Sequence, residues 1–123
     1  MSRVLIVEDT AIARQSLAKI LKYEGHEAQC AENGLEALDS LENSQHAPDV
    51  VLLDLMMPKM DGVKFLETLR ADHRFRALPV IVMTGSMDSS SLTRIRALGV
   101  DALLTKAGFD LDDLLLRLRK PAA

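Results

Sequence analysis

The chain has 123 residues, 48% of them hydrophobic and 27% charged, with a formal net charge of -3. That length suits one domain, residues 1–123, able to bury roughly two-thirds of its unfolded surface. The charge leaves no basic footprint for nucleic acid, and the single cysteine, Cys30, excludes an intrachain disulfide and a cysteine-based zinc cluster.

Arg3 to Val7 is a short apolar run of strand character that ends in the acidic pair Glu8-Asp9. It is too short for a signal peptide, and no apolar run approaches the roughly 18 residues needed to span a membrane, so the expected location is cytoplasmic. From Ala11 to Glu24 the period changes: Ala13, Leu17, Ile20 and Leu21 recur at helical spacing, with Thr10 placed to cap and Gly25 to stop the helix. Ala28 and Cys30, with His26, alternate with Glu27, Gln29 and Glu32, which predicts a half-buried strand at a sheet edge. Cys30 reads there as a small buried hydrophobe. Asn33-Gly34 opens a short helix with Ala37, Leu38 and Leu41 inward.

Val50 to Leu53 is apolar at every position, the mark of a strand covered on both faces. It ends in Asp54, and Pro58 and Asp61-Gly62 then break and turn the chain. Asp61 is placed to cap a third helix carrying Phe65, Leu66 and Leu69, which runs into a basic stretch from Arg70 to Arg76, read as a solvated loop. Pro79 to Met83 is again wholly apolar and ends in Thr84-Gly85. Asp88 and Ser89 offer caps for a helix with Leu92, Ile95 and Leu98, stopped by Gly99. Val100 to Leu104 is a weaker strand ending at Thr105-Lys106. Asp110 can cap a last helix with Leu111, Leu114, Leu115 and Leu118 inward; Leu116 falls off that stripe and is expected at the surface.

Five strands alternating with five helices predict a doubly wound α/β fold, a parallel sheet with helices on both faces joined by right-handed crossovers. In such a sheet all strands end on one edge, where ligands bind. Glu8 and Asp9, Asp54, Thr84 and Lys106 end four of the five strands. Each alone reads equally as a cap or a solvated loop residue; their agreement favours a site. Carboxylates without His or Cys nearby prefer a hard cation, Mg²⁺ or Mn²⁺. A carboxylate can also act as nucleophile and form an aspartyl phosphate. Phosphoryl transfer needs chiefly positioning and charge neutralisation, which a cation, an ammonium and a hydroxyl supply.

On Val7-Glu8-Asp9, Asp54 to Pro58 with Asp61-Gly62, Met83-Thr84-Gly85 and Lys106, the chain closely resembles the response regulator receiver domain, the phosphoacceptor module of two-component signalling. The resemblance covers essentially the whole chain. It implies a flavodoxin-like sheet of order 2-1-3-4-5. It implies a signalling phosphoacceptor, not a classical enzyme, in which Asp54 takes a phosphoryl group from a phosphohistidine on a histidine kinase or phosphotransfer protein. Asp9, Asp54 and the backbone carbonyl of Met56 would hold Mg²⁺, with Glu8 in the metal shell. Thr84 and Lys106 would bind the phosphoryl oxygens, and Met56 and Ser86 occupy positions that tune dephosphorylation. Output would pass through contact with a downstream protein, with neither nucleic acid nor membrane as direct partner. Arg14, Gln15, Ala18 and Lys22 on the first helix would face outward toward the kinase.

Two departures from the family pattern stand out. Leu103 occupies the position where the family carries an aromatic switch residue, so output would run through packing of Leu103 or loop movement. After Lys106 the family's proline is replaced by Ala107-Gly108, so a trans bond before Ala107 is expected. These departures motivate an alternative: a receiver-like binding module that works without phosphate.

Overall fold

The central apolar run forms the middle of the sheet. The computed structural model describes residues 2–43, 47–54, 62–84, 89–105 and 111–119. Strands β1 (Arg3–Val7), β2 (Glu27–Ala31), β3 (Val50–Asp54), β4 (Val80–Thr84) and β5 (Ala102–Thr105) alternate with helices α1 (Ala11–Tyr23), α2 (Gly34–Asn43), α3 (Gly62–Ala71), α4 (Ser89–Leu98) and α5 (Leu111–Arg119). The strands pair in parallel in the order β2-β1-β3-β4-β5. All five residues of β3 are buried, as continuous apolarity requires of a strand covered on both faces.

Side chains alternate across the sheet and divide the core in two. Leu5, Val7, Val51, Leu53, Val80 and Val82 point to one face and meet Ala37 and Leu41 of α2, Phe65, Leu66 and Leu69 of α3, and Ile95 of α4. Val4, Ile6, Val50, Leu52, Ile81 and Met83 point to the other and meet Ala18 and Leu21 of α1 and Leu114, Leu115 and Leu118 of α5. Leu103 is partly buried and packs on the α2–α4 side. Leu116 is exposed, as its place off the helical stripe implies. Gly25, just past the α1 C-cap, and Gly99, just past α4, take φ of 92° and 89°, a left-handed conformation that stops a helix at little cost for glycine.

The basic stretch from Arg70 to Arg76 is for the most part the solvated loop expected, with His73, Arg74 and Arg76 exposed, but Arg70 and Phe75 anchor it to the body of the protein. Arg70 is half-buried and donates to five backbone carbonyls: Leu98 and Gly99 at the end of α4, and Phe75, Arg76 and Leu78 before β4. Burial pulls its pKa down, and Asp101 opposes that shift. Phe75 is buried in the α2–α4 core. Arg74 lies 4.9 Å over the Phe75 ring and pairs with Glu42 and Asp72. Hydrogen bonds from the Arg74 side chain and backbone hold the Asp72 carboxyl down to about 2. Helical periodicity cannot reveal which carbonyls a long cationic side chain will reach, so a run of basic residues reads as solvent-facing until its partners are seen.

Cys30 also departs from expectation. It is exposed, although alternation places it on the α1 side of the sheet opposite Ile6. Alternation assigns a face, but a residue near the end of an edge strand is buried only if a helix reaches over it. Here Cys30 lines an open groove with Ile12, Gln15 and Lys19 of α1. His26 is buried as anticipated, and its Nδ1 accepts from the Ser2 backbone N–H at 2.9 Å.

Candidate functional site

The site is built where β1 and β3, hydrogen-bonded neighbours, run out at the same edge. Val7 is paired in register with Leu53, so the residues that follow each, Glu8 and Asp54, emerge side by side. The Glu8 N–H donates to the Ala31 carbonyl at 3.0 Å and so extends the β1–β2 pairing one residue past the strand. Asp9 then lies on the short loop into α1. Glu8 and Asp54 are each 1% exposed, whereas Asp9 opens toward solvent.

Carboxylate oxygens of Glu8, Asp9 and Asp54 lie within 4.8 Å of one another. Three anions that close, two of them buried, repel strongly unless donors or a cation compensate. Thr10 supplies one donor: its backbone N–H reaches Glu8 Oε1 at 3.3 Å. Thr10 is the α1 N-cap by position but makes no side-chain cap hydrogen bond. The start of α1 adds the positive end of a helix dipole beside the acids, with no acidic residue in its own first turn to compete. An all-oxygen, all-carboxylate donor set fits a hard divalent cation that keeps several waters. The pocket therefore fits the cation that the sequence implies.

Other expected members are placed less fully. Thr84 ends β4 at the same edge, in register with Thr105, and Asp54 is in register with Met83. The Thr84 side chain, and Met56, Pro58, Asp61, Ser86, Asp88, Asp110 and the Lys106-Ala107-Gly108 segment with its peptide bonds, lie outside the described residues.

The expected partner face on α1 needs correction. Gln15 and Lys22 are exposed, but Ala18 is buried and packs in the α1–α5 core. Arg14 is half-buried, and its guanidinium turns back onto the loop bearing the acids. Alanine carries too little apolar surface to mark a face by itself, so the larger Leu17 and Ile20 drew the inferred stripe off Ala18. The hold of Arg14 on the loop was missed for a different reason. Its one signal is a cation in the second turn of a helix that starts directly after an acidic pair.

Known proteins bear on this pocket directly. Residues 4–119 match the family model described as the response regulator receiver domain. The chain is similar to response regulator MprA of Mycobacterium sp. (strain KMS), with 37% identity over 117 residues, 95% of this chain and 49% of that protein. It thus spans about half the length of the curated relatives it matches. Among solved structures it is similar to a response regulator receiver protein from Pseudomonas putida, at 33% identity and a TM-score of 0.86, covering 93% of this chain and 92% of that one. The Mn²⁺-bound form of response regulator Rcp1 aligns at 28% identity and a TM-score of 0.78, over 97% of this chain and 90% of that one. No helix among the described residues is long and apolar enough to cross a membrane.

Proposed function

The chain belongs to the response regulator receiver family, and we propose that its Asp54 accepts a phosphoryl group from a phosphohistidine on a histidine kinase or phosphotransfer protein. The observation that carries this reading is the meeting of Glu8, Asp9 and Asp54 within 4.8 Å at the edge where the strands end. Mg²⁺ is the cation proposed for the pocket, and Mn²⁺, present in the Rcp1 structure, has the same preference for oxygen. Asp9, Asp54 and the Met56 carbonyl would hold it directly, with Glu8 behind them. When bound, the cation supplies charge neutralisation that three carboxylates cannot give themselves.

In the transfer, one Asp54 carboxylate oxygen forms the new bond to phosphorus as the phosphorus–nitrogen bond breaks. The departing nitrogen keeps that electron pair, and with the other ring nitrogen of the phosphohistidine protonated beforehand the imidazole leaves as the neutral base. Asp54 is the last residue of β3 and is as buried as the rest of the strand, which favours a restricted placement of its carboxylate for the transfer. Thr84 and Lys106, ending neighbouring strands, are the proposed partners of the phosphoryl oxygens. Leu103, already packed on the α2–α4 core, would pass the change outward by repacking to a face that meets a downstream protein. Gln15 and Lys22 remain the proposed kinase contacts on α1.

Incubation with acetyl phosphate and Mg²⁺ tests this. The intact mass should rise by one phosphoryl group, hydroxylamine should remove it as it removes acyl phosphates, and chelation of the metal should prevent it. No mass change with Mg²⁺ present would overturn the reading in favour of a binding module that works without phosphate; a hydroxylamine-stable adduct would overturn Asp54 as acceptor.

A further inference from the structure

The loop that carries two of the three carboxylates is gripped from the helix that follows it. Arg14 sits in the second turn of α1, half-buried, and its side chain runs back toward the start of the helix. Its Nη1 donates to the backbone carbonyl of Glu8 at 2.9 Å and to that of Asp9 at 3.5 Å. The first contact has good length; the second is at the limit of a hydrogen bond. Glu8 is also held by β2 through its N–H and by Thr10 at its carboxylate. Arg14 adds a hold on the far side of the peptide units that orient both acids.

We propose that Arg14 is a positioning residue of the acidic pocket: by clamping the Glu8 and Asp9 carbonyls it fixes the backbone from which both carboxylates reach a divalent cation. This rests on the cation-binding reading of the pocket given above. It also turns the Nη1 end of the Arg14 guanidinium toward the loop and away from the outward face of α1.

Charge and geometry predict opposite signs here. A guanidinium beside the pocket repels a cation, so if charge alone mattered its removal would tighten Mg²⁺ binding. If the clamp matters, its removal lets the loop take conformations in which the Glu8 and Asp9 carboxylates no longer converge with Asp54, and binding weakens. Loss of groups that orient metal ligands from behind costs about 10–100-fold in affinity, and a clamp on backbone carbonyls belongs near the lower figure.

The test is Mg²⁺ titration of the whole chain followed by amide NMR, for wild type, Arg14→Gln and Arg14→Lys, with amide exchange at Asp9 and Thr10 measured without metal. Arg14→Gln should bind Mg²⁺ about tenfold more weakly and exchange faster at Asp9 and Thr10. Arg14→Lys, with one donor point instead of a fork, should recover part of both. Equal or tighter Mg²⁺ binding by Arg14→Gln, or unchanged exchange at Asp9 and Thr10, overturns the role of Arg14 alone. A wild-type protein that binds no Mg²⁺ overturns the cation reading and this inference with it.

Discussion

Asp54→Asn is expected to reduce phosphoryl uptake from acetyl phosphate to background while making the metal-free protein more stable. The two effects share one cause. Asp54 ends a fully buried strand, is 1% exposed, and has its carboxylate within 4.8 Å of those of Glu8 and Asp9. Asparagine keeps the shape but offers no anionic oxygen to attack phosphorus, so the reaction loses its nucleophile. It also removes one of three crowded negative charges. At an effective dielectric of about 20, each pair at this range repels by roughly 3–4 kcal/mol. Hydrogen bonds recover much of that in the wild type, so the net gain from neutralisation should be about 1–2 kcal/mol. Intact-mass labelling and urea unfolding of both proteins check this. Added Mg²⁺ should narrow the stability gap, because it stabilises only the protein that binds it well. Labelling of Asp54→Asn at the wild-type level would remove Asp54 from its role.

Phe65→Ala carries the largest expected cost to the fold. Phe65 lies on the inward face of α3, has no exposed surface, and fills the core between the sheet and helices α2 and α4. Truncating a phenylalanine enclosed this way removes its transfer energy and leaves a cavity, about 3–5 kcal/mol together. That is a large share of the 5–15 kcal/mol typical of a domain. Urea unfolding followed by far-ultraviolet circular dichroism should show the transition moved to much lower denaturant. A loss below about 1 kcal/mol would mean that the sheet and helices α2 and α4 do not enclose the ring. The acids stand at the ends of β1 and β3 and on the loop into α1, not on α3, so whatever fraction stays folded should still take up a phosphoryl group.

These two residues also show what could be read without coordinates. Phe65, Leu66 and Leu69 recur at helical spacing beside all-apolar strands, and each proved fully buried. Strand character over Val50–Leu53 and Val80–Met83, with helices between, implies a parallel sheet, and a parallel sheet puts Glu8, Asp9 and Asp54 on one edge. That part of the site followed from period and connectivity alone. What did not follow depends on single contacts. Ala18 is inward because it faces the α5 leucines across the same core, and its small side chain adds little to any periodic signal. Cys30 is exposed at an open groove that it lines with Ile12, Gln15 and Lys19 of α1, and strand alternation does not encode how closely a helix packs over an edge strand. Arg14 and Arg70 found carbonyls instead of water, and a flexible cationic side chain gives no periodic hint of which it will find.

The whole account depends on one small pocket holding a divalent cation against Asp54, and Mg²⁺ titration of the wild type beside Asp9→Asn, followed by amide NMR, tests that most directly. Saturable shifts centred on Glu8, Asp9 and Asp54 in the wild type, and greatly weakened in Asp9→Asn, are the predicted result. A titration that leaves those resonances in place, or moves them equally in both proteins, would contradict it.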